Sequence, residues 1–259
     1  LGSDLIPPLS IVLDDQGIYF DPRTPSQLED VLTNGSSTSE ETEKARLVRL
    51  RIVEQGVTKY NMEPRRIAAW PSNGKRVLLV PGQVEDDASI RFGCSTIRTN
   101  HALLKAAREA CPDAFIVYKP HPDVVSGNRK GKLDLGQAMH WADHIETGLS
   151  VISCIDACDE VHTMTSLTGF DALLRGKKVV TYGQPFYAGW GLTEDHDSKG
   201  TAFTRRTRRL SLDELVAGTL LRYPLYWDPV LRGYTECGAT IRRIVETRAT
   251  LEKSGKIDR

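Results

Sequence analysis

The sequence predicts an α/β protein whose larger lobe is built on a doubly wound parallel sheet. Three observations predict it. From Val77 onward, short strand-like runs at 77–80, 115–118, 160–162 and 179–182 alternate with helical patterns. Each run ends in polar or flexible residues, at 83–87, 119–123, 163–169 and 183–191. In a parallel sheet those ends share one edge, which is where α/β proteins keep their chemistry. A polar stretch from Met62 to Gly74, carrying Pro64, Pro71 and a Ser-Asn-Gly turn, reads as a linker ahead of this lobe.

Taken in order, residues 1–8 form an opening segment. The apolar runs 11–13 and 18–20, around Asp14-Asp15-Gln16-Gly17, predict a β-hairpin. Thr24 as N-cap, Pro25 at the first helical position and Gln27 at the third predict a helix that ends at 34–37. Ser39 opens a longer helix to about Gln55, with Leu47, Leu50 and Val53 on one face and Gly56 as its stop. Beyond the linker, Pro81 and Gly82 break the strand at 77–80. Thr99 and Asn100 cap a helix over 101–110, with Leu103, Leu104 and Ala107 inward. Residues 126–136 read as a basic, glycine-containing loop, 147–158 as a short helix and 170–175 as a helix stopped by Gly176. Ser211 and Glu214 make a capping box for a helix to Arg222, and a last helix spans about 239–251. The predicted divisions are 1–72 for a first lobe with linker, 73–238 for the sheet lobe and 239–259 for a helix packing back across the lobes.

Bulk properties narrow the function. Basic and acidic residues balance at 34 each, unlike a general nucleic-acid binder. No apolar run approaches the ~20 residues of a membrane span. Five cysteines, an odd number in a chain of 259 residues, fit reduced thiols in the cytoplasm better than a disulfide framework. Cys154 and Cys158 lack a second Cys/His pair at zinc spacing.

The polar strand ends supply the candidate chemistry. Gln83, Glu85, Asp86 and Asp87 crowd three carboxylates and an amide into five residues; the alternative is an acidic loop that caps a helix. Lys119-Pro-His-Pro stiffens the backbone on both sides of His121, which suits either an anion-holding imidazole or a hydrogen-bonded turn histidine. Thr165, Ser166 and Gly169 open a helix, and hydroxyls with unsatisfied amides there suit a phosphate or an ordinary N-cap. Tyr187 and Trp190 lie in a glycine-rich loop, where aromatic faces stack on sugars or plug a core. Arg205, Arg206, Arg208 and Arg209 form either a solvated face or a surface that steers anions, including an anionic lipid surface.

Four motifs in this order, Gln83-Val-Glu-Asp-Asp87, Lys119-Pro-His-Pro, His162-Thr-Met-Thr-Ser-Leu-Thr-Gly-Phe-Asp171 and Tyr182-Gly-Gln-Pro-Phe-Tyr-Ala-Gly-Trp-Gly191, resemble the KpsC-type capsular polysaccharide β-Kdo transferases over nearly the whole chain. The resemblance implies a GT-B-like fold of two Rossmann-like lobes facing across a cleft. It implies retaining transfer of Kdo from CMP-Kdo onto a phospholipid-linked Kdo acceptor, with no metal and no other cofactor. It places the protein in the cytoplasm at the inner face of the inner membrane, with capsule assembly and export proteins as partners and no nucleic acid. Asp87 is then expected to be the nucleophile, with His121 near the Kdo carboxylate or the departing phosphate. Gln83, Glu85, Lys119, Thr165, Ser166, Gly169, Asp171 and Gln184 are expected around the donor. Tyr187, Trp190, Arg205 and Arg206 are expected at the acceptor or membrane. The family's acid/base, a Glu in the first lobe, is expected upstream of Leu1, so the first lobe is expected to be incomplete and activity to belong to a longer protein. Two other readings stay open: a CMP-sugar hydrolase on the same scaffold, or a non-catalytic glycan or nucleotide-sugar-binding module of a capsule assembly complex.

Overall fold

Apolar runs, helix caps and glycine stops set the elements of the computed structural model, which describes residues 8–59, 65–125, 131, 133–197 and 200–256. Most of the opening segment, the start of the linker and residues 126–130 and 132 of the basic loop lie outside the described residues. In chain order the elements are β1 (Ser10–Ile11), α1 (Gln27–Asn34), α2 (Ser39–Gln55), β2 (Val77–Pro81), α3 (Ala88–Gly93), α4 (Asn100–Ala110), β3 (Phe115–Lys119), α5 (Pro122–Val125), α6 (Leu135–Trp141) and β4 (His144–Ile145). They continue with α7 (Val151–Ala157), β5 (Glu160–Thr163), α8 (Leu167–Leu174), β6 (Lys178–Thr181), β7 (Glu194–Asp195), α9 (Thr201–Arg205), α10 (Leu212–Val216), β8 (Leu225–Asp228), β9 (Gly233–Thr235) and α11 (Cys237–Lys253). A π-helical stretch, Ala217–Arg222, prolongs α10.

One compact unit comprises Tyr19–Thr24 and Pro64–Arg209. Its sheet, among the described residues, is wholly parallel and six-stranded in the order β4-β3-β2-β5-β6-β7. Every residue of β2 and β3 is buried, which explains why those runs are continuously apolar rather than alternating. Leu78, Val80, Leu103, Leu104, Ile116, Met164 and Val180 form the centre of one core cluster. The strand order reverses between β2 and β5, so the carboxyl ends of these two strands flank the switch point of the fold. The described part of the linker packs on this unit: Trp70 donates its indole N–H to Glu146 at 2.9 Å, and Arg66 its amide to Ser153 Oγ at 2.9 Å.

The other unit comprises Leu1–Ile18, Pro25–Glu63 and Leu210–Arg259. The predicted hairpin at 11–20 does not form: β1 pairs with β8 instead, in an antiparallel sheet ordered β1-β8-β9. The cause is Asp14, whose carboxylate gathers the amides of Gln16, Gly17 and Gln27 and the Tyr223 hydroxyl, which fixes a loop where a strand would begin. Helix α1 starts two residues later than predicted, with Ser26 as the cap that accepts from the Glu29 amide. Helix α2 runs from its Thr38 cap to Gly56, which takes the left-handed φ of 59° that favours glycine. Its inward face is Ala45, Val48 and Ile52, while Leu47 and Leu50 are exposed. Small Ala45 suits close packing of α2 on α10, and Arg49 pairs with Asp213 at 2.7 Å. The capping box of Ser211 and Glu214 is present. Helix α11 packs on α2 and β8, and residues 210–238 belong with it rather than with the sheet. The compact units thus divide the chain at other points than 72 and 238, because the chain returns to the first unit after Arg209. All five cysteines are buried thiols.

Candidate active site

Gly82 sets the geometry of the switch-point edge. Its amide donates to the Lys119 carbonyl at 2.7 Å. A Cβ there would lie 2.8 Å from the Tyr118 hydroxyl and 3.1 Å from the His121 nitrogen, so only glycine lets the ends of β2 and β3 run this close. The segments carrying Asp87 and His121 therefore leave the same edge of the sheet from neighbouring strands.

Asp87 does two things at once. It caps α3, with Oδ1 accepting the Ser89 amide at 2.9 Å and the Ser89 hydroxyl at 2.7 Å. It is also exposed, and no hydrogen bond to Oδ2 occurs among the described residues. The helix-capping alternative accordingly describes one carboxylate oxygen and the candidate nucleophile the other. Burial, then the charge of Asp87, raises the Tyr19 phenol above its usual range.

Gln83 is buried and acts as a clamp across the switch point. Its Oε1 accepts from Thr163 Oγ1 and from the amides of Met164 and Thr165, each at 3.1 Å, and its Nε2 donates to Thr165 Oγ1 at 3.1 Å. Asn100 holds the Gln83 backbone from the other side, accepting its N–H at 2.8 Å and donating to its carbonyl at 2.9 Å. Gln83 is thus a structural tie between β2 and the turn after β5, not a side chain offered to a donor. Glu85 likewise accepts the Asn100 amide at 2.7 Å and so caps α4.

His121 is three-quarters buried, with its Nδ1 accepting the Asp123 amide at 3.2 Å. Ser166 caps α8 through the Thr168 amide at 3.1 Å, and its own amide is held by Thr163 Oγ1. Asp171, one turn along α8, is half-buried, and its enclosure pushes its carboxyl up to about 7 against the pull of Arg175. It does not lie in the first turn of the helix.

Several expected site residues are committed elsewhere. Gly169 does not open backbone to a ligand, because Tyr187 fills the space beside it. The Gln184 side chain lies under Gly200 and accepts the Ala202 amide at 3.1 Å. Lys119 is buried and donates its ammonium to the Leu149 carbonyl. Tyr187 and Trp190 are fully buried, the first donating to the Ser166 carbonyl at 2.6 Å and the second to the Phe186 carbonyl at 2.8 Å. Arg206 is buried and donates to the carbonyls of Pro185 and Ala188 at 2.6 and 2.8 Å. Arg205 donates to the carbonyls of Pro22 and Thr24 at 2.7 and 3.3 Å. The glycine-rich loop is therefore a core plug braced by Arg206, and Tyr187, Trp190 and Arg206 face the core rather than an acceptor or membrane.

Ser89, Asn100 and Tyr19 are the contributors that sequence reasoning missed. For Ser89 a signal existed: Asp87-Ala-Ser89 is the spacing at which an Asp cap meets a hydroxyl two residues on. A separate buried cluster joins Cys111, Glu160 and His162, whose ligand atoms lie within 4.8 Å of one another. Its partners are internal: Glu160 holds His162 at 2.8 Å and Lys178 at 3.1 Å, and the other nitrogen of His162 meets Tyr182 at 3.1 Å.

The family model described as "Capsule polysaccharide biosynthesis protein" matches residues 41–226. The chain belongs to the capsule polysaccharide biosynthesis family. It is 52% identical over 229 residues, 88% of its length, to the capsule polysaccharide modification protein LipA of Neisseria meningitidis serogroup A. It is 41% identical over 98% of its length to the lipopolysaccharide-processing protein LpsZ of Rhizobium meliloti. It spans 32% of that LipA and 57% of LpsZ. Two solved structures share the fold of this family member. The Thermosulfurimonas dismutans KpsC β-Kdo 2,7 transferase is 40% identical, with a TM-score of 0.79 over 93% of this chain and 74% of that one. The β-Kdo 2,4 transferase of the same organism is 32% identical, with a TM-score of 0.83 over the same shares. The fold is thus the GT-B-like α/β architecture of KpsC-type proteins, as the four motifs imply. No described helix is long and apolar enough to cross a membrane.

Proposed function

We propose that this chain carries the donor-side chemistry of a retaining β-Kdo transferase, which moves Kdo from CMP-Kdo onto a lipid-linked Kdo acceptor during capsule assembly. The observation that carries the reading is the placement of Asp87: an exposed carboxylate at the switch point, held by two donors on one oxygen. Kinship with two KpsC β-Kdo transferases supports the choice of sugar. A carboxylate nucleophile divides the substitution into two inversions, so the anomeric configuration is kept. In the first, an Asp87 oxygen bonds to the anomeric carbon while CMP departs with the bonding electrons. His121 and the start of α8 are assigned to an anionic group of the donor, where charge develops. Gln83 serves by fixing the turn that leads into Ser166 and α8, with the buried Thr165 hydroxyl held inside that turn. The enzyme works at the inner face of the inner membrane alongside capsule export proteins.

The test is a transfer assay with the intact protein, CMP-Kdo and a Kdo-bearing glycolipid. The expected product is one added β-Kdo, with its anomeric configuration read by NMR. CMP release without any glycolipid product would favour a hydrolase, and absence of both would favour a binding module.

A further inference from the structure

The hydrogen bonds behind Asp87 run in one direction, and that direction follows from donor and acceptor chemistry alone. The amides of Met164 and Thr165 can only donate, so the group facing them on Gln83 is the oxygen. Gln83 Nε2 therefore faces Thr165 Oγ1 at 3.1 Å, and Thr165 accepts. At the other end, Asp87 Oδ1 accepts the hydroxyl of Ser89 at 2.7 Å, which uses the only hydroxyl proton of Ser89. The contact between Ser89 Oγ and Thr165 Oγ1, at 3.0 Å, is then made by the Thr165 proton. The chain reads Gln83 to Thr165 to Ser89 to Asp87, each hydroxyl polarised toward the carboxylate.

We propose that Ser89 is a positioning residue for the second half-reaction, its hydroxyl stabilising the Asp87 carboxylate as it departs from the sugar. This rests on the reading of Asp87 as nucleophile. In the first half-reaction an Oδ2 lone pair forms the bond to the anomeric carbon, the carbon–phosphate oxygen bond breaks, and CMP takes the electron pair. Charge leaves the carboxylate, so donors on Oδ1 do not favour that step. In the second, an acceptor hydroxyl oxygen bonds to the anomeric carbon and the carbon–Oδ2 bond breaks. The electron pair returns to the carboxylate, and the hydroxyl proton passes to a carboxylate base or to water. Charge then builds on the group at which the Ser89 hydroxyl and amide are already aimed.

The experiment follows the covalent sugar–protein adduct of the intact protein by rapid-quench mass spectrometry, first with CMP-Kdo and then after adding a Kdo-bearing glycolipid. Ser89→Ala keeps the amide donor and loses the hydroxyl. It is expected to discharge the adduct roughly tenfold more slowly, to form it no more slowly, and so to accumulate it. Ser89→Thr, which keeps the hydroxyl, restores discharge. Gln83→Glu turns the Thr165 proton away from Ser89 and shifts the balance in the same direction by a smaller factor. A residue that only shapes the loop would slow both steps together and would not respond to the Thr variant; that result, or unchanged discharge, overturns the inference. Absence of an adduct on the wild-type protein is a different failure, seen as identity with Asp87→Asn, and it sinks the parent reading together with this one.

Discussion

The ring carbon Cζ of Tyr187 lies 2.8 Å from where a Cβ of residue 169 would stand, and the hydroxyl oxygen is nearer still. Gly169 is therefore a socket for Tyr187, whose hydroxyl holds the Ser166 carbonyl at 2.6 Å. The ring supports the start of α8 from beneath.

Gly169→Ala should lower stability by about 1–3 kcal/mol through overpacking, since the ring is fully buried and cannot step aside. Removing the nearest atom with Tyr187→Phe in the same chain should recover part of the loss. Thermal melts of the two variants check this; a Gly169→Ala protein as stable as wild type would refute the socket.

Gln83→Leu should cost about 2–4 kcal/mol, because it strips the amides of Met164 and Thr165 of a buried acceptor. Urea denaturation measures it. The loss should be much smaller in Gln83→Glu, which keeps an oxygen facing those amides.

Arg206→Met should lose about 2–3 kcal/mol by leaving the carbonyls of Pro185 and Ala188 without their donor. The freed loop should expose Trp190, now fully buried, to acrylamide quenching. Unchanged quenching would show that the plug stands without its brace.

Acid should weaken the sheet unit through Glu146. Burial would raise its carboxyl, but Trp70, the amides of Gly148 and Leu149, and His144 outweigh that and hold it down to about 2 from 4.5. A depressed carboxyl contributes its full stability above the unfolded value and loses it as pH falls from 4.5 toward 2. The urea midpoint gap between wild type and Glu146→Gln should accordingly narrow over that window. A gap independent of pH would contradict the assignment.

Much of the sheet was readable, because buried parallel strands are short apolar runs and their polar ends mark one edge. The four motifs follow strands of that one parallel sheet, which is why the proposed chemistry is placed at its carboxyl edge. What the residues alone did not distinguish was a side chain turned toward a ligand from one turned toward its own backbone. Gln83, Gln184, Lys119 and Arg206 all carry groups suited to either, and only three-dimensional proximity to amides and carbonyls decides. Aromatic Tyr187 and Trp190 misled for the same reason: a glycine-rich loop permits a stacking platform and a core plug alike. In α2 the apolar spacing of Leu47 and Leu50 outweighed small Ala45, although close helix packing selects the smaller residue. The β8–β9 pair went unseen because four-residue and three-residue strands carry too little periodicity.

The central claim is that the exposed oxygen of Asp87 bonds to the sugar. Mass spectrometry of the intact protein after brief exposure to CMP-Kdo, with peptide mapping, tests it most directly. The prediction is the added mass of one Kdo residue on the peptide containing Asp87, absent in Asp87→Asn. Glycolipid product formed at the normal rate by Asp87→Asn, or an adduct mapped to another residue, would contradict it.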